Sequence, residues 1–559
     1  MRAKRATDRP PPAPAWKLWA NPLIRRYAKS RLRPRGFGMW GLVVMLIAGF
    51  MFFGIRAALV YQVDMSVVDA ERGPLIPLLW LQGVVLFLLG TGQVAGAMTA
   101  EADEGVLDYQ RLAPMTPLTK VLGYLFGLPI REYALVLMTA PFTLWCLWRG
   151  QVPIGSAVQL YAVFFSSAIL YHLTGLVAGT VVKNRRWAFL VSMAVVFFLY
   201  TVMPFVANFG LVYFKYLTVT PVFLESQPFM VPRDWGAAIE TVQNLRPSAK
   251  FFNLDLPQVV FTLLSQCVLI LTGIVMLWRR WRRAESHLLG KAWAVGLFAW
   301  IQLLILGNGL PLLESGLLFP SRGFNQMAGQ FGNQNWRPEP EEAMAMVAIY
   351  GLVTLGMLWI LTLLITPTQD GQIRGWRRAR KHGRRSLAVL SDPATAFWSV
   401  AIMIVIGTVG WTVFAREIMA SRWFPGQETS QLTPIAFALI LFGGGIGLHS
   451  LLESRGGRAV GLVAVLLGAV PIGLAVIAAI VRLETLSIWL MGMSPLSGSP
   501  FAAGLMLPRG NMPIEVTRAL PGAFWFWQGV LVLTSIWLVF GLIRARREIA
   551  ALSEAGGVE

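Results

Sequence analysis

The sequence predicts an all-α, polytopic integral membrane protein of about twelve transmembrane helices. Three observations lead there. Of its 559 residues, 56% are hydrophobic and only 14% charged, well below the roughly 25% charged of a soluble domain. Apolar stretches of the length a bilayer-crossing helix needs recur along the chain. The 48 basic residues are sorted by loop rather than scattered. A multidomain soluble enzyme and a disordered chain are excluded by this composition. The alternating pattern of a membrane barrel is absent, whereas a helix satisfies its own backbone in lipid.

In chain order, residues 1–15 carry Pro10, Pro11, Pro12 and Pro14 and read as a disordered leader. No signal peptide is expected, because the first apolar stretch is too long and follows a basic tail. Spans are then expected at 39–61, 75–97, 121–148, 154–182, 187–211 and 256–278. Six more follow at 292–312, 344–366, 395–414, 432–452, 460–481 and 522–543, the seventh being interrupted by Asn308, Gly309 and Pro311. With both termini cytoplasmic, about 33 of the basic residues lie inside and about 13 outside, as the positive-inside rule requires. That sorting accounts for the net charge of +20, so nucleic acid is not an expected partner. Cys146 and Cys267 make neither a disulfide framework nor a zinc site and are expected to be buried small hydrophobes.

Loop lengths repeat with a period of six spans. Long internal loops follow spans two and eight, and long external loops follow spans five and eleven. Two tandem six-helix halves follow, 39–280 and 281–547, with a tail at 548–559 and a basic–aromatic seam at Trp281-Arg282-Arg283. Parallel repeats of this kind are a transporter architecture. The external loops, with Trp235, Phe251, Phe252, Leu505 and Met506, are expected to form re-entrant or interfacial helices.

Within 1–38, an interfacial amphipathic helix is expected to start at Asn21, a good N-cap, with Pro22 at the first helical position. Leu23, Ile24, Tyr27 and Ala28 share one face, and Arg25, Arg26, Lys29 and Arg33 the other. That composition suits a helix lying among membrane lipid headgroups; the plainer alternative is a basic flank that orients span one. After span two comes an acidic island, Glu101, Asp103, Glu104, Gly105, Leu107 and Asp108, followed by Arg111 and Pro114. Carboxylates at a helix start are favoured by the macrodipole, and Pro114 and Pro117 stop the helix. A short rod near 101–112 is expected, suited to a partner's groove; the alternative is an ordinary connection. Arg131 and Glu132 in span three, adjacent and so on different helix faces, are a candidate gate or a structural pair, with Arg131 expected to meet an acid of 101–108.

The run Glu101 to Leu118 resembles the segment after the second span in permease subunits of type-2 ABC exporters: acids, then Gly105, Leu107, Asp108, and Pro114 nine residues beyond the glycine. Asn21-Pro22-Leu23 followed by Arg25 and Arg26 is similar to that family's elbow helix. The likeness covers about residues 20–280. The matching loop of the second half is basic, Gly375-Trp376-Arg377-Arg378-Ala379-Arg380-Lys381, and lacks the acid–glycine–leucine–acid run. The resemblance implies a transport subunit of the bacterial inner (plasma) membrane, not itself an enzyme. It also implies a separate cytoplasmic ABC ATPase that binds ATP and pushes on the coupling segment, and a second permease copy as a further candidate partner. The sequence itself offers no phosphate-binding loop, since Gly290-Lys291 is followed by Ala292 and lacks the upstream glycine; no cofactor is expected in this chain.

Two rivals remain, an ion-coupled twelve-span carrier and a non-transporting scaffold. Ionisable groups at membrane depth mark ion pathways. Here they are few: Arg56 near a span end, His172 and His449, which read as packing residues, and the Arg131–Glu132 pair. The four histidines form no metal spacing, and Ser497-Gly498-Ser499 lacks a nucleophile's strand–turn–helix setting. Gly443 to Gly447 is expected to permit close helix contact. Orientation is directly testable. In a background lacking Cys146 and Cys267, the Arg186→Cys and Arg380→Cys variants should resist a membrane-impermeant maleimide in intact cells, while Asp64→Cys and Arg337→Cys should react. The reverse pattern would overturn the assigned orientation.

Overall fold

The computed structural model describes residues 16–236, 248–283, 285–322, 336–384, 386–424, 432–506 and 514–555. The expected leader at 1–15 and the tail end at 556–559 lie outside the described residues. Among the described residues, eleven helices are long and apolar enough to cross a membrane, and one bent pair makes a twelfth span. The protein is therefore an all-α, multi-pass integral membrane protein.

The chain divides into two compact units, meeting at residues 284 and 285, with Phe205–Tyr213 and Lys250–Leu254 counted in the second. The first contains the short helix α1 (Pro22–Arg31), span one as α2 (Pro34–Tyr61) and span two as α3 (Val67–Asp103). The seven-residue α4 (Val106–Leu112) follows, then span three as α5 (Pro117–Gly127) and α6 (Ile130–Arg149), bent by 49°. Spans four, five and six are α7 (Ile154–Val181), α8 (Arg185–Thr201) and α10 (Gln258–Arg282), with a short α9 (Thr220–Met230) before the last. Span three was expected as one continuous helix. The break falls at Leu128-Pro129, because proline removes a backbone donor and clashes with the preceding turn.

The second unit contains α11 (Lys291–Leu312), α12 (Pro340–Ile365), the basic helix α13 (Gln369–Lys381), α14 (Phe397–Ala420) and α15 (Leu432–Arg455). It continues with α16 (Gly457–Ile480), two short helices α17 (Glu484–Gly492) and α18 (Gly498–Met506), and α19 (Ile514–Ala555). The hairpin strands Ala249–Phe251 and Leu254–Leu256 flank a tip whose Phe252 N–H donates to the Gly307 carbonyl at 2.7 Å. Phe251 leaves no room for a side chain at Gly307, where a Cβ would lie 2.4 Å from its ring.

The same pairings recur inside each unit. Spans one and three, two and three, two and four, and four and six pack together in the first. Seven and nine, eight and nine, eight and ten, and ten and twelve do so in the second. The short α9 sits on spans four and six, whereas α18 packs chiefly on span eight and also touches spans ten and twelve. Spans five and eleven differ: α8 lies along α3, whereas α16 leans on α17.

Small residues allow a close crossing of α15 and α19. A Cβ at Gly443 would stand 2.5 Å from the Leu531 side chain, and one at Gly447 2.6 Å from the Ser535 hydroxyl, so side chains of α19 seat against the bare backbone of α15, as small-residue interfaces allow in lipid. Cys146 is buried, but Cys267 is exposed on α10. The apolar run did not distinguish the core-facing from the lipid-facing side: its neighbour Gln266 points inward and takes the buried position. Gly443→Val should lower stability by about 1–3 kcal/mol through overpacking, read as a lower unfolding temperature in detergent. Gly461→Ala, where no atom lies within 4 Å of the new Cβ, should leave it unchanged.

Candidate functional site: a carboxylate latch beside a short exposed helix

Burying a carboxylate is costly unless partners satisfy it. Glu101, in the last turn of α3, is 8% exposed. Its Oε1 accepts from the Tyr27 hydroxyl at 2.6 Å and the Arg26 guanidinium at 3.3 Å, and its Oε2 accepts from the Tyr124 hydroxyl at 2.6 Å. Three elements thus meet at one carboxylate: α1, the end of α3, and α5. Burial first, then the neighbouring Tyr124 and Glu101, pushes the Tyr27 phenol far above its ordinary pKa, so it stays a proton donor to the carboxylate.

The sequence explains why α1 reaches this point. Asn21 caps it, its Oδ1 accepting from the Leu23 N–H at 3.0 Å, while its Nδ2 donates to the Thr119 carbonyl at 2.8 Å. Leu23 and Tyr27 are buried, Ile24 and Ala28 half-buried, and Pro22, Arg25 and Arg26 exposed. The apolar face meets protein rather than lipid: Cβ atoms at Gly123 and Gly127 would fall 2.9 Å from Leu23 and 2.6 Å from Tyr27. Arg25 turns back to the Trp19 carbonyl at 2.9 Å.

The acidic island is not one helix. Glu101 and Asp103 end α3, Glu104 caps it, and Gly105 adopts a left-handed conformation at φ 71° before α4 begins at Val106. The expected macrodipole benefit at a helix start therefore does not apply to Glu101, Asp103 and Glu104, which lie at a helix C-terminus. The glycine breaks the rod because it takes this backbone conformation without a Cβ clash. Asp103, Glu104 and Pro114 are exposed. On α4, Leu107 and Gln110 face inward, while Asp108, Tyr109 and Leu112 face out, Tyr109 and Leu112 at 73% and 84% exposure. Arg111 pairs with Asp108 one turn away. Lys120 Nζ donates to the Arg111 carbonyl at 3.2 Å, tying the end of α4 to α5, and lies 5.8 Å from the Trp281 ring. Trp281 in turn stacks on Tyr124 with ring centroids 5.2 Å apart.

Arg131 meets no acid of 101–108. It pairs with its own neighbour, Glu132, at 2.6 Å, because a flexible guanidinium spans the angle between adjacent residues. Glu132 is 1% exposed, and its Oε2 has no hydrogen-bond partner among the described residues. His172 bridges the Leu86 carbonyl at 3.0 Å and the Tyr133 hydroxyl at 3.2 Å.

The second unit holds a carboxylate that the sequence reading passed over. Glu453, at 2% exposure near the end of α15, accepts from Arg546 of α19 at 2.5 Å and from Gln372 of α13 at 2.8 Å. Its Oε2 faces His449 at 3.1 Å and the Thr395 hydroxyl at 3.2 Å. The available signal was a lone acid four residues after a histidine in an apolar span. Lys291 is also buried, its ammonium donating to the Ala394 carbonyl at 2.6 Å. No comparable signal marks Tyr124 or Lys120, and Trp281 is marked only as part of the basic–aromatic seam, since their contacts here depend on residues far away in sequence. A scan against protein-family models finds no match, and searches of curated proteins and of solved structures also find none.

Tyr27→Phe and Tyr124→Phe should each destabilise the protein by about 1.5–3 kcal/mol, the range for hydrogen bonds to a charged group. The double variant should depart from additivity because both hydroxyls serve one carboxylate. Unfolding in detergent measures this; an additive pair would separate the two contacts.

Proposed function

We propose that this chain is the transmembrane permease subunit of an ATP-driven, ABC-type exporter, energised by a separate cytoplasmic ATPase that docks on α4. The carrying observation is the outward face of α4. A short helix that exposes Tyr109 and Leu112 side by side while burying Leu107 and Gln110 has the form of a hot-spot patch for a protein partner. Its surroundings support force transmission. Gly105 joins α4 to the end of span two, Lys120 ties it to the first half of broken span three, and Glu101 locks both to α1. A push on α4 is thereby passed to two spans at once. The likeness of residues 101–118 to the coupling segment of type-2 ABC exporters, and the absence of a phosphate-binding loop in the sequence, point the same way. Both termini, α1 and α4 lie in the cytoplasm on this reading, at the bacterial inner membrane.

One observation favours ion coupling instead: the buried Glu132, with one carboxylate oxygen unpartnered among the described residues. The two readings separate by experiment. A photo-crosslinking amino acid at position 109, installed in the full chain in cells, should capture a soluble nucleotide hydrolase. ATP hydrolysis by that partner should be stimulated by the wild-type chain and fall about tenfold or more in stimulation with Tyr109→Ala plus Leu112→Ala, as loss of an interface hot spot predicts. Absence of any such crosslink, together with proton-driven flux by the purified chain that Glu132→Gln abolishes, would replace the exporter reading with the carrier.

A further inference from the structure

The connection between spans eight and nine is built as more than a link. α13 starts just beyond the end of α12, after Thr366, Pro367 and Thr368, and the next span begins at Phe397. Its inner face is tied down. Gln372 donates to Glu453, in the last turn of α15, at 2.8 Å. Pro393 fills the space beside Gly375, where a Cβ would lie 2.2 Å away. α13 therefore lies at the level where span ten leaves the hydrocarbon. Beyond it the chain makes a tight turn, in which the Ser391 N–H and hydroxyl donate to the Ala388 carbonyl at 2.8 and 2.6 Å. Lys291, the buried first residue of α11, holds the base of this turn. Its ammonium donates to the Ser391 and Ala394 carbonyls at 2.5 and 2.6 Å. The two central residues of the turn are Val389 and Leu390, 57% and 62% exposed. Tight turns favour glycine, proline, asparagine, aspartate and serine. Two aliphatic side chains displayed there, on a base pinned by a buried lysine, gain nothing from water and are stabilised by an apolar surrounding.

The same connection is strongly basic. Residues 369–384 hold six lysines and arginines and a single acid, Asp370. Glu285 engages Arg374 and Arg378. Arg377, Lys381 and Arg384 are exposed and enter no ion pair among the described residues. Trp398, exposed in the first turn of span nine, is a residue type that favours the headgroup layer. We propose that this connection binds an anionic bilayer surface: Val389 and Leu390 enter the headgroup layer, and Arg377, Lys381 and Arg384 hold acidic phospholipid headgroups. The two features select this partner together. Cations alone suit any polyanion, and an apolar turn alone suits any apolar surface. An anionic bilayer offers both, and the flanking spans keep the connection at its surface. Lipid then holds from outside the turn that Lys291 holds from inside. Through Gln372 that hold reaches Glu453, which joins α15 to Arg546 of α19. This inference rests on the second unit alone and not on the proposed function.

Fluorescence of the full chain tests it. Leu390→Cys, in a background lacking Cys146 and Cys267, is labelled with an environment-sensitive dye. The chain is then reconstituted into vesicles of phosphatidylcholine, alone or mixed with phosphatidylglycerol. With phosphatidylglycerol the dye should be quenched by nitroxide-bearing lipid and shielded from aqueous acrylamide. Combining Arg377→Gln, Lys381→Gln and Arg384→Gln should raise acrylamide quenching about fivefold or more, the factor that even one basic residue near an anionic surface supplies. Arg458→Gln with Arg544→Gln should leave it unchanged. Unfolding temperatures in detergent establish that the variants fold; if the triple variant does not, the comparison of the two vesicles decides. A dye equally open to acrylamide in both vesicles overturns the proposal. So does a dye shielded from acrylamide but untouched by lipid-borne nitroxide, which would put a second copy or another protein over the turn. Lipid quenching of equal strength in both vesicles overturns it as well.

Discussion

A carboxylate withdrawn from water is costly unless donors surround it, and beside α4 the carboxylate that meets this requirement is Glu101. Its oxygens are met by two phenols and a guanidinium drawn from α1 and α5. Together with the Asn21–Thr119 hydrogen bond and the packing of Leu23 and Tyr27 on Gly123 and Gly127, the carboxylate fixes where α1 lies against the first half of span three. The bend at Pro129 and the glycine contacts of α5 with α1 are the geometric counterpart of that bond set. Breaking a buried pair by removing one partner is far costlier than never having built it, so the arrangement behaves as one piece.

The second unit meets the same constraint with different chemistry. Its packing scheme repeats that of the first, yet its buried carboxylate sits on span ten rather than span two and draws on arginine, glutamine, histidine and threonine. The helix that follows span eight, α13, is basic. Its Arg374 and Arg378 pair with Glu285, whose carboxyl is held below its usual range, chiefly by the hydrogen bond from Arg378. The acidic connection of the first unit and the basic one of the second therefore share a position in the layout but present opposite charge. On the proposed reading, only the first carries the docking face.

The helix α4 is neither free nor embedded, which on the proposed reading is what lets a docking event become movement. Gly105 gives it a turn at one end, Lys120 a tether at the other, and a cavity of about 160 Å³ beneath leaves it room. A helix of seven residues has little stability of its own. Its geometry is therefore borrowed from the spans it is tied to.

The amino-acid sequence by itself determined the membrane class, the twelve spans and the apolar and basic faces of α1, because hydropathy and helical periodicity are summed over some twenty neighbouring residues. It also marked Asn21 as a cap, while Gly105 stood only as part of the family-like run inside an expected rod. Only the tertiary structure decided that Glu101 closes a helix instead of opening one, that Arg131 turns to Glu132, that Cys267 faces outward, and that Glu453 anchors the second unit. The donors that satisfy Glu101 and Glu453 come largely from tens of residues away, as Tyr27 does from 74 positions before Glu101. A local pattern carries no information about which distant donor will arrive at a buried charge; the packing of the helices supplies it.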